Sequence, residues 1–573
     1  MTYRWNYLTL SDDQKIKRNE LAEELQLDPI LAELLIHRGL STKDQANKFL
    51  HPSLDDLHDP FLMPDMEEAI RRIEKAIGNK ERILIYGDYD VDGTTAVSLV
   101  YKFFRKITSN LDYYIPDRYE EGYGISIQGI DFAASTDVKL IISLDCGIKA
   151  ISKIAYAKEK GIDFIVCDHH MPDDTLPDAV AVVDAKRLDS VYPYNELSGC
   201  GVGFKLVQAF AQRNGYPFSE LESLLDLCAV SIAADIVPIT GENRILMYHG
   251  LIQLNTNPCF GLRGILEICK LTHKSITVND IVFKIGPRIN ASGRMMNGKE
   301  AVDLLLAVDM PTARIMSKSI DKYNEDRREL DKKITEEAIN YIDTQTDVTA
   351  QKSIVVYNEN WHKGIVGIVA SRLTERYYRP AIVLTRSRNN LISGSARSVV
   401  GFDVYRAIES CKDILENFGG HTYAAGLTLK EENLAEFKRR FDTISFDEIE
   451  SKMMLPQIVI DAEIPFSNIT TRFMQQLNLF SPFGADNENP VFLTRNISDT
   501  GGSRLVGMNN RHTKLEVTDR SVSIPFSGIA FGTDGYYDEL KSRVPLDICY
   551  TLEENNRSIK RNVQLIVKDM RLS

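Results

Sequence analysis

The chain has 573 residues, 43% hydrophobic and 26% charged, with a formal net charge of −13 at pH 7. That length predicts three or four domains, no run approaches the ~18 apolar residues of a membrane span, and the N-terminus lacks a signal-peptide layout, so a cytoplasmic protein is expected. The acidic balance argues against a generic nucleic-acid coat, though not against a nucleic-acid enzyme, and eight scattered cysteines without a Cys-x-x-Cys pair argue against a zinc ribbon or disulfide framework.

Residues 1–60 carry short helical patterns such as ELAEELQLDPILAELLIHRG and are expected to form a helical cap. From about residue 61, apolar runs alternate with amphipathic ones: RILIYG (82–87), VKLIISL (138–144), DFIVC (163–167) and AVAVVD (179–184). This βαβα rhythm predicts a parallel, helix-covered sheet, continued by a mostly helical stretch to residue 310. Residues 312–343 lack both Gly and Pro. Leu330, Ile334, Ala338 and Tyr341 give them a thin apolar stripe, which predicts a long polar connecting helix over 311–345. A second, smaller α/β domain is expected over 346–450, with strands at SIVVYN and PAIVLT and a helix from Gly364. Short strands broken by turns over 455–573 predict a small β-barrel of nearly balanced charge. The barrel's aromatics include Phe473, Phe480, Phe483, Phe526, Phe531, Tyr536 and Tyr537, most of which are expected in its core.

Chemistry concentrates where the first strands end. In YGDYDVDG the alternating Asp88, Asp90 and Asp92 share one face if the backbone is extended. An EF-hand loop is excluded, since its twelfth position, which needs a bidentate glutamate, falls on Leu99 and a strand precedes it. Asp145 follows the strand 138–144, and Asp168, His169 and His170 follow the strand 163–167. In parallel α/β sheets ligands bind beyond the carboxyl ends of the strands, so these groups converge on one edge. Asp235 ends a long apolar helical run, where a carboxylate is costly unless paired or coordinated. Carboxylates this dense need cations, and oxygen ligands with one imidazole suit Mg²⁺ or Mn²⁺ better than zinc. Two such ions bridged by a carboxylate make a site for hydrolysing phosphate esters, with Asp145 expected as the bridge.

DYDVDG, SLDCG, DHH and AADIVP, in this order, resemble the four signature motifs of the DHH phosphoesterase superfamily. WHKGIVGIVASRL, SGSARSVVGFDV and GGHTYAAGLTL resemble its companion DHHA1 domain. PDRYEEGYGIS, LSGCGVGFKL, GPRINASGR and the C-terminal barrel extend the likeness to the superfamily's single-strand-specific 5′→3′ DNA exonucleases. The implied architecture is a DHH catalytic domain (61–310), the connecting helix, a DHHA1 domain (346–450) and an OB-fold barrel (455–573). The resemblance implies that Asp92, Asp145, His169 and Asp235 bind one divalent ion and Asp90 and Asp145 a second, assisted by Asp88. His170 would face the scissile phosphate, with Asp168 orienting the histidines. Arg118, Arg288, Ser395 and Arg397 would grip the terminal phosphate or nearby backbone, with Asn290, Arg294 and His421 as further contacts.

The glycines of GCGVGFKL read as close packing at a helix start, since the stretch lacks the Lys-Ser/Thr ending of a P-loop. Cys146 reads as a small buried filler. The implied activity is two-metal (Mn²⁺ or Mg²⁺) release of 5′-mononucleotides from single-stranded DNA in recombinational and mismatch repair. A RecQ-type helicase and a single-strand-binding protein are the implied partners. The chain ends soon after the barrel, so partner contacts of longer relatives are not expected to transfer. The alternatives are a DHH–DHHA1 phosphodiesterase acting on short oligoribonucleotides or cyclic dinucleotides, and a non-catalytic replication scaffold; the scaffold is disfavoured because every metal position is filled.

Overall fold

The computed structural model describes residues 3–345, 351–387, 390–532, 534–554 and 563–573. Two compact units emerge. The larger comprises residues 5–293, 297–320 and 459–573, the smaller residues 1–4, 294–296 and 321–458. The expected boundary at 345/346 adjoins residues 346–350, which lie outside the described residues.

In the larger unit a five-stranded sheet is built from β1 (Arg82–Gly87), β2 (Leu111–Tyr114), β3 (Val138–Leu144), β4 (Asp163–Cys167) and β5 (Ala181–Val183). Their spatial order is β2-β1-β3-β4-β5, all parallel. The runs of Ile, Leu and Val leave β1, β3 and β4 almost wholly buried, as a sheet covered on both faces requires. One face packs Leu84, Ile141, Phe164 and Val166 against Ile130, Ala133, Ile154 and Ala157 of two crossover helices. Three further helices assemble against one another: α1 (Val91–Phe104), α2 (Gly199–Asn214) and α3 (Leu225–Asp235). All five strands run the same way, so their carboxyl ends share one edge.

The C-terminal strands of this unit are β11 (Ala462–Glu463), β12 (Phe492–Asp499), β13 (Arg504–Val506), β14 (His512–Thr518), β15 (Phe526–Phe531), β16 (Leu546–Glu554) and β17 (Val563–Leu572). They are ordered β11-β12-β16-β17-β15-β14-β13, and a further β12–β14 pairing closes five of them into a ring. Of the seven aromatics expected mostly in its core, Phe473, Phe480 and Phe526 are buried there, Phe483 and Tyr536 pack against it partly buried, and Phe531 is exposed. That core is shared with Leu31, Leu34, Leu35, Phe49 and Leu50 of the N-terminal helices.

The smaller unit holds a mixed sheet of β6 (Ile354–Tyr357), β7 (Ala381–Arg386), β8 (Leu391–Arg397), β9 (Leu415–His421) and β10 (Ala424–Lys430), ordered β9-β10-β8-β7-β6. Gly419, Gly420 and His421 are the last residues of β9, and the reversal falls at Thr422 and Tyr423. A helix at Val366–Tyr377, starting two residues beyond Gly364, covers β7 and β8. The long polar helix spans Met310–Gln345. It is buried through Ile334, Ala338 and Ile342, while Tyr341 stays 47% exposed. Residue 342 stands four beyond Ala338 and eight beyond Ile334, which keeps it on their face.

Candidate active site

The strand-end residues do converge, with a different local geometry at the first motif. Asp88 follows β1 directly, but α1 already begins at Val91, so Asp88, Asp90 and Asp92 do not share the face of an extended strand. The cause is helix capping. Asp90 is the N-cap of α1, its Oδ1 accepting from the Gly93 amide at 3.0 Å, and Asp92 lies in the first turn. Asp88 Oδ1 accepts from the Gly124 amide at 3.3 Å, while its Oδ2 is buried without a partner.

Asp92 is held at both of its carboxylate oxygens. Its Oδ2 accepts from the Gly199 amide at 2.7 Å; its Oδ1 accepts from the Cys200 amide at 2.8 Å and from Ser231 Oγ at 2.6 Å. The GCGVG stretch thus starts a helix, as expected, and its first amides grip a carboxylate through the positive end of α2. Gly199 is required by space: a Cβ there would lie 2.6 Å from Asp145 Cβ. Asp145 itself, just past β3, holds φ +59°, a left-handed conformation that aspartate tolerates better than most residues.

His169 Nε2 lies 3.1 Å from Asp145 Oδ1, 3.7 Å from Asp92 Oδ2 and 3.7 Å from Asp235 Oδ2. Four side chains from the ends of β3, β4, α1 and α3 thus surround one point. Asp235 sits at the C-terminus of α3, the negative end of its dipole, a poor place for a carboxylate unless a cation offsets it. Burial, then its carboxylate neighbours Asp92, Asp90, Asp235 and Asp88, pushes Asp145 well above the ordinary carboxylate range. Burial and then Asp90 do the same to Asp88, and burial and then Asp92 raise both Asp90 and Asp235.

Asp168 is buried behind the cluster. It accepts from the amides of Ile148, His169 and His170 and from His170 Nδ1, the last at 2.7 Å. Of the two histidines it fixes only the ring of His170; His169 Nδ1 is buried without a hydrogen-bond partner. Burial works against a charge on His170; the Asp168 bond and charge, with the charges of Asp235 and Asp92, together outweigh it and raise the imidazole to about 9. Its Nε2 meets the Tyr123 hydroxyl at 3.2 Å.

These residues suit a divalent metal. An all-oxygen set plus one imidazole is the donor set of Mg²⁺ or Mn²⁺, and the cluster's mutual repulsion and the unpartnered Asp88 Oδ2 are what a cation would relieve.

The expected substrate contacts fall in both units. Arg118 stacks over Tyr89 at 4.2 Å, its Nε buried and unpartnered. Arg288 and Asn290 stand on the helix Gly286–Met295, where Arg288 Nη1 donates to Lys284 O. In the smaller unit Arg397 Nη1 donates to Ser395 Oγ at 2.9 Å along β8, and Arg294 donates to Gly364 O. Burial alone depresses Arg397, with no carboxylate compensating its charge among the described residues. His421 ends β9, exposed.

Sequence reasoning missed Tyr123, Ser231 and Asp184. Tyr123 lay within PDRYEEGYGIS, and Asp184 closes the AVAVVD run as a fourth strand-end carboxylate. Asp184 is fully buried; its Oδ1 accepts from the Lys186 amide at 2.7 Å and its Oδ2 is unpartnered. Ser231, one helical turn before Asp235, carried no signal.

Comparison with known proteins decides the family. Residues 82–232 match the DHH family, N-terminal domain, residues 350–444 the DHHA1 domain and residues 460–569 the RecJ OB domain. The whole chain is 36% identical to the single-stranded-DNA-specific exonuclease RecJ of Bacillus subtilis, covering 71% of that protein. The chain belongs to the RecJ family. The RecJ of Salmonella typhimurium is 30% identical over 98% of this chain and all of its own length. The crystal structure of Thermus thermophilus RecJ in complex with Mn²⁺ superposes with a TM-score of 0.85 at 25% identity, covering 100% of this chain and 80% of that one. The parallel DHH sheet, the DHHA1 domain and the C-terminal OB domain are thus those of a RecJ, a family of metal-dependent, single-strand-specific exonucleases. Among the described residues no helix is long and apolar enough to cross a membrane.

Proposed function

We propose that this protein is a two-metal exonuclease that degrades single-stranded DNA from its 5′ end and releases 5′-mononucleotides. The observation that carries the reading is the meeting of Asp92, Asp145 and Asp235 within 3.7 Å of His169 Nε2, in a chain of the RecJ family. Asp92, Asp145, His169 and Asp235 would hold one divalent ion, and Asp90 and Asp145 a second with Asp88 beside it. Bound there, Mn²⁺ or Mg²⁺ would neutralise the phosphate and make water a nucleophile at neutral pH.

The protein's own groups do the rest. The amides of Gly199 and Cys200 and the Ser231 hydroxyl fix Asp92 so that it needs no rearrangement. His170, kept protonated through Asp168, presents a positive Nε2 donor to the scissile phosphate and stabilises charge as it develops. Arg118, Arg288, Ser395 and Arg397 would grip the terminal phosphate or nearby backbone, since a planar guanidinium can donate two parallel bonds to phosphate oxygens. By family resemblance the role is recombinational and mismatch repair alongside a RecQ-type helicase and a single-strand-binding protein, in the cytoplasm.

The test is a single-stranded oligonucleotide labelled at either end, incubated with Mn²⁺, Mg²⁺ or EDTA, with a duplex control and Asp145→Ala. Immediate release of the 5′ label as a mononucleotide is expected, abolished by EDTA and by the substitution. Release of the 3′ label first would overturn the polarity, and cleavage surviving EDTA would overturn the metal mechanism.

A further inference from the structure

Two exposed apolar side chains stand next in the chain to the metal-site residues. Ile236 follows Asp235 and is 68% exposed; Met171 follows His170 and is 57% exposed. Ile236 is also strained. It terminates α3 at φ 59°, ψ 30°, a left-handed position that ordinarily falls to glycine and is least suited to a β-branched residue. At the residue after Asp235, an isoleucine is both strained and exposed where glycine would cap the helix without strain. Such outliers persist where the site uses them.

Each adjoins in the chain a residue whose side chain reaches the site. Asp235 Oδ2 is 3.7 Å from His169 Nε2, and the His169 and His170 ring centroids are 4.6 Å apart. The interior of the site is anionic and polar, suited to metal and phosphate, and the residues that follow Asp235 and His170 in the chain are apolar and exposed. A single-stranded substrate has the complementary pattern, since each phosphate is flanked by unpaired bases whose faces are apolar and are covered by stacking and apolar contacts in single-strand binders.

We propose that Ile236 and Met171 form an apolar rim that packs against the base flanking the scissile phosphate, so that an unpaired nucleobase is part of what the site recognises. The proposal rests on the exonuclease reading above. It makes Ile236 a substrate-contacting residue whose backbone strain is retained for binding.

The experiment compares kcat/KM on two single-stranded oligonucleotides in Mn²⁺, one ordinary and one with tetrahydrofuran abasic residues at its two 5′-terminal positions. The intact protein should prefer the ordinary strand roughly tenfold. Ile236→Gly, which relieves the left-handed position, should melt no lower than the parent and lose most of that preference through a raised KM on the ordinary strand. Met171→Ala should lose part of it. Three results would overturn the rim: a parent that cleaves both strands equally well, variants that keep the full preference, or an equal loss on both strands in Ile236→Gly, which would assign Ile236 to holding Asp235. The first of these leaves the exonuclease reading standing. A parent that cleaves neither strand in Mn²⁺ removes that reading, and the rim with it.

Discussion

Single residues in this site are arranged against their own stability, and that makes their roles separable. Asp145 is buried among Asp92, Asp90, Asp235 and Asp88, so its charge costs free energy in the metal-free fold. Asp145→Asn removes that charge and keeps the shape. It should melt higher than the parent in EDTA, while hydrolysis falls roughly a thousandfold and the rise in Tm on adding Mn²⁺ shrinks. A variant melting lower in EDTA, with an undiminished Mn²⁺ shift, would remove Asp145 from the metal cluster. Asp184 gives a cleaner pH signature, because its carboxyl contacts no proposed ligand. Burial first, then Asp168, raises it from 3.8 to about 7, although the Lys186 amide opposes the shift. Its folded-state value lies above its unfolded one, so the native chain holds the proton more tightly. Its favourable contribution is complete below pH 4 and is lost as pH rises towards 7. Asp184→Asn should therefore be the more stable protein at pH 8, by about 1–3 kcal/mol once the unpartnered amide is allowed for, and no more stable at pH 4. Urea melts at the two pH values decide it; an equal difference at both would mean that Asp184 does not titrate in that window.

At the scale of elements, α2 contributes its N-terminus rather than its face. Gly199→Ala would set a methyl 2.6 Å from Asp145 Cβ and 2.9 Å from its Cα, both fixed by β3, so the helix start must retreat and take its grip on Asp92 with it. A ten- to hundredfold loss of metal affinity is expected, roughly the cost of removing an outer-shell partner. Ser231→Ala, which deletes one donor and shifts no backbone, should lose less. Titrating Mn²⁺ by its effect on Tm measures both, and equal losses would show that close packing at Gly199 is not what matters. The sequence showed close packing at the start of α2 but neither its hold on Asp92 nor the part of Ser231, and the reason is physical. Strand ends, and with them Asp88, Asp145, Asp168 and the two histidines, are legible because a buried parallel strand is a continuous apolar run that stops where polar chemistry begins. Gly199 and Ser231 act across 107 and 139 residues of chain, through packing that no local period encodes. The same limit hid the capping of Asp90: alternation suits an extended strand, yet an Asp three residues before a Gly amide caps a helix equally well. Ile342 replaced Tyr341 in the long helix's stripe because a buried face follows i, i+4 spacing, which polarity at one position only hints at.

Across the larger unit, one arginine ties the N-terminal helices to the segment that leads into β12. Arg244, in the helix Gly241–Thr256, is almost fully buried and donates to Phe49 O from the N-terminal helices. It also donates to Leu479 O, Phe480 O, Ser481 O and Pro482 O, the end of the helix Thr471–Asn478 and the turn after it. Its guanidinium lies 3.9 Å over the Phe49 ring. Among the described residues no carboxylate answers it. Burial, then Arg38 nearby, depresses it to about 9, and the carbonyls carry the compensation, helped by the negative end of that helix. Because five acceptors converge on one rigid fork, neither a lysine nor an apolar side chain can replace it. Arg244→Met recovers the cost of burying a charge but leaves the carbonyls of Leu479 and Ser481 without this donor, for a net loss of about 2–4 kcal/mol. The damage should fall on the shared core of the N-terminal helices and the C-terminal ring, not on the carboxylate cluster. Trp5 reports on that core, since its indole N–H donates to Asp569 at 2.8 Å and Arg571 lies 4.1 Å over its ring. The chain's other tryptophan is Trp361, so in a Trp361→Phe background the fluorescence belongs to Trp5 alone. There, Arg244→Met should lower the Trp5 transition by several degrees while the rise in Tm with Mn²⁺ and the activity at 25 °C are kept. An unchanged Trp5 transition would show that the ring and the N-terminal helices hold together through their apolar core alone. Loss of the Mn²⁺ shift would show instead that the clamp reaches the metal site.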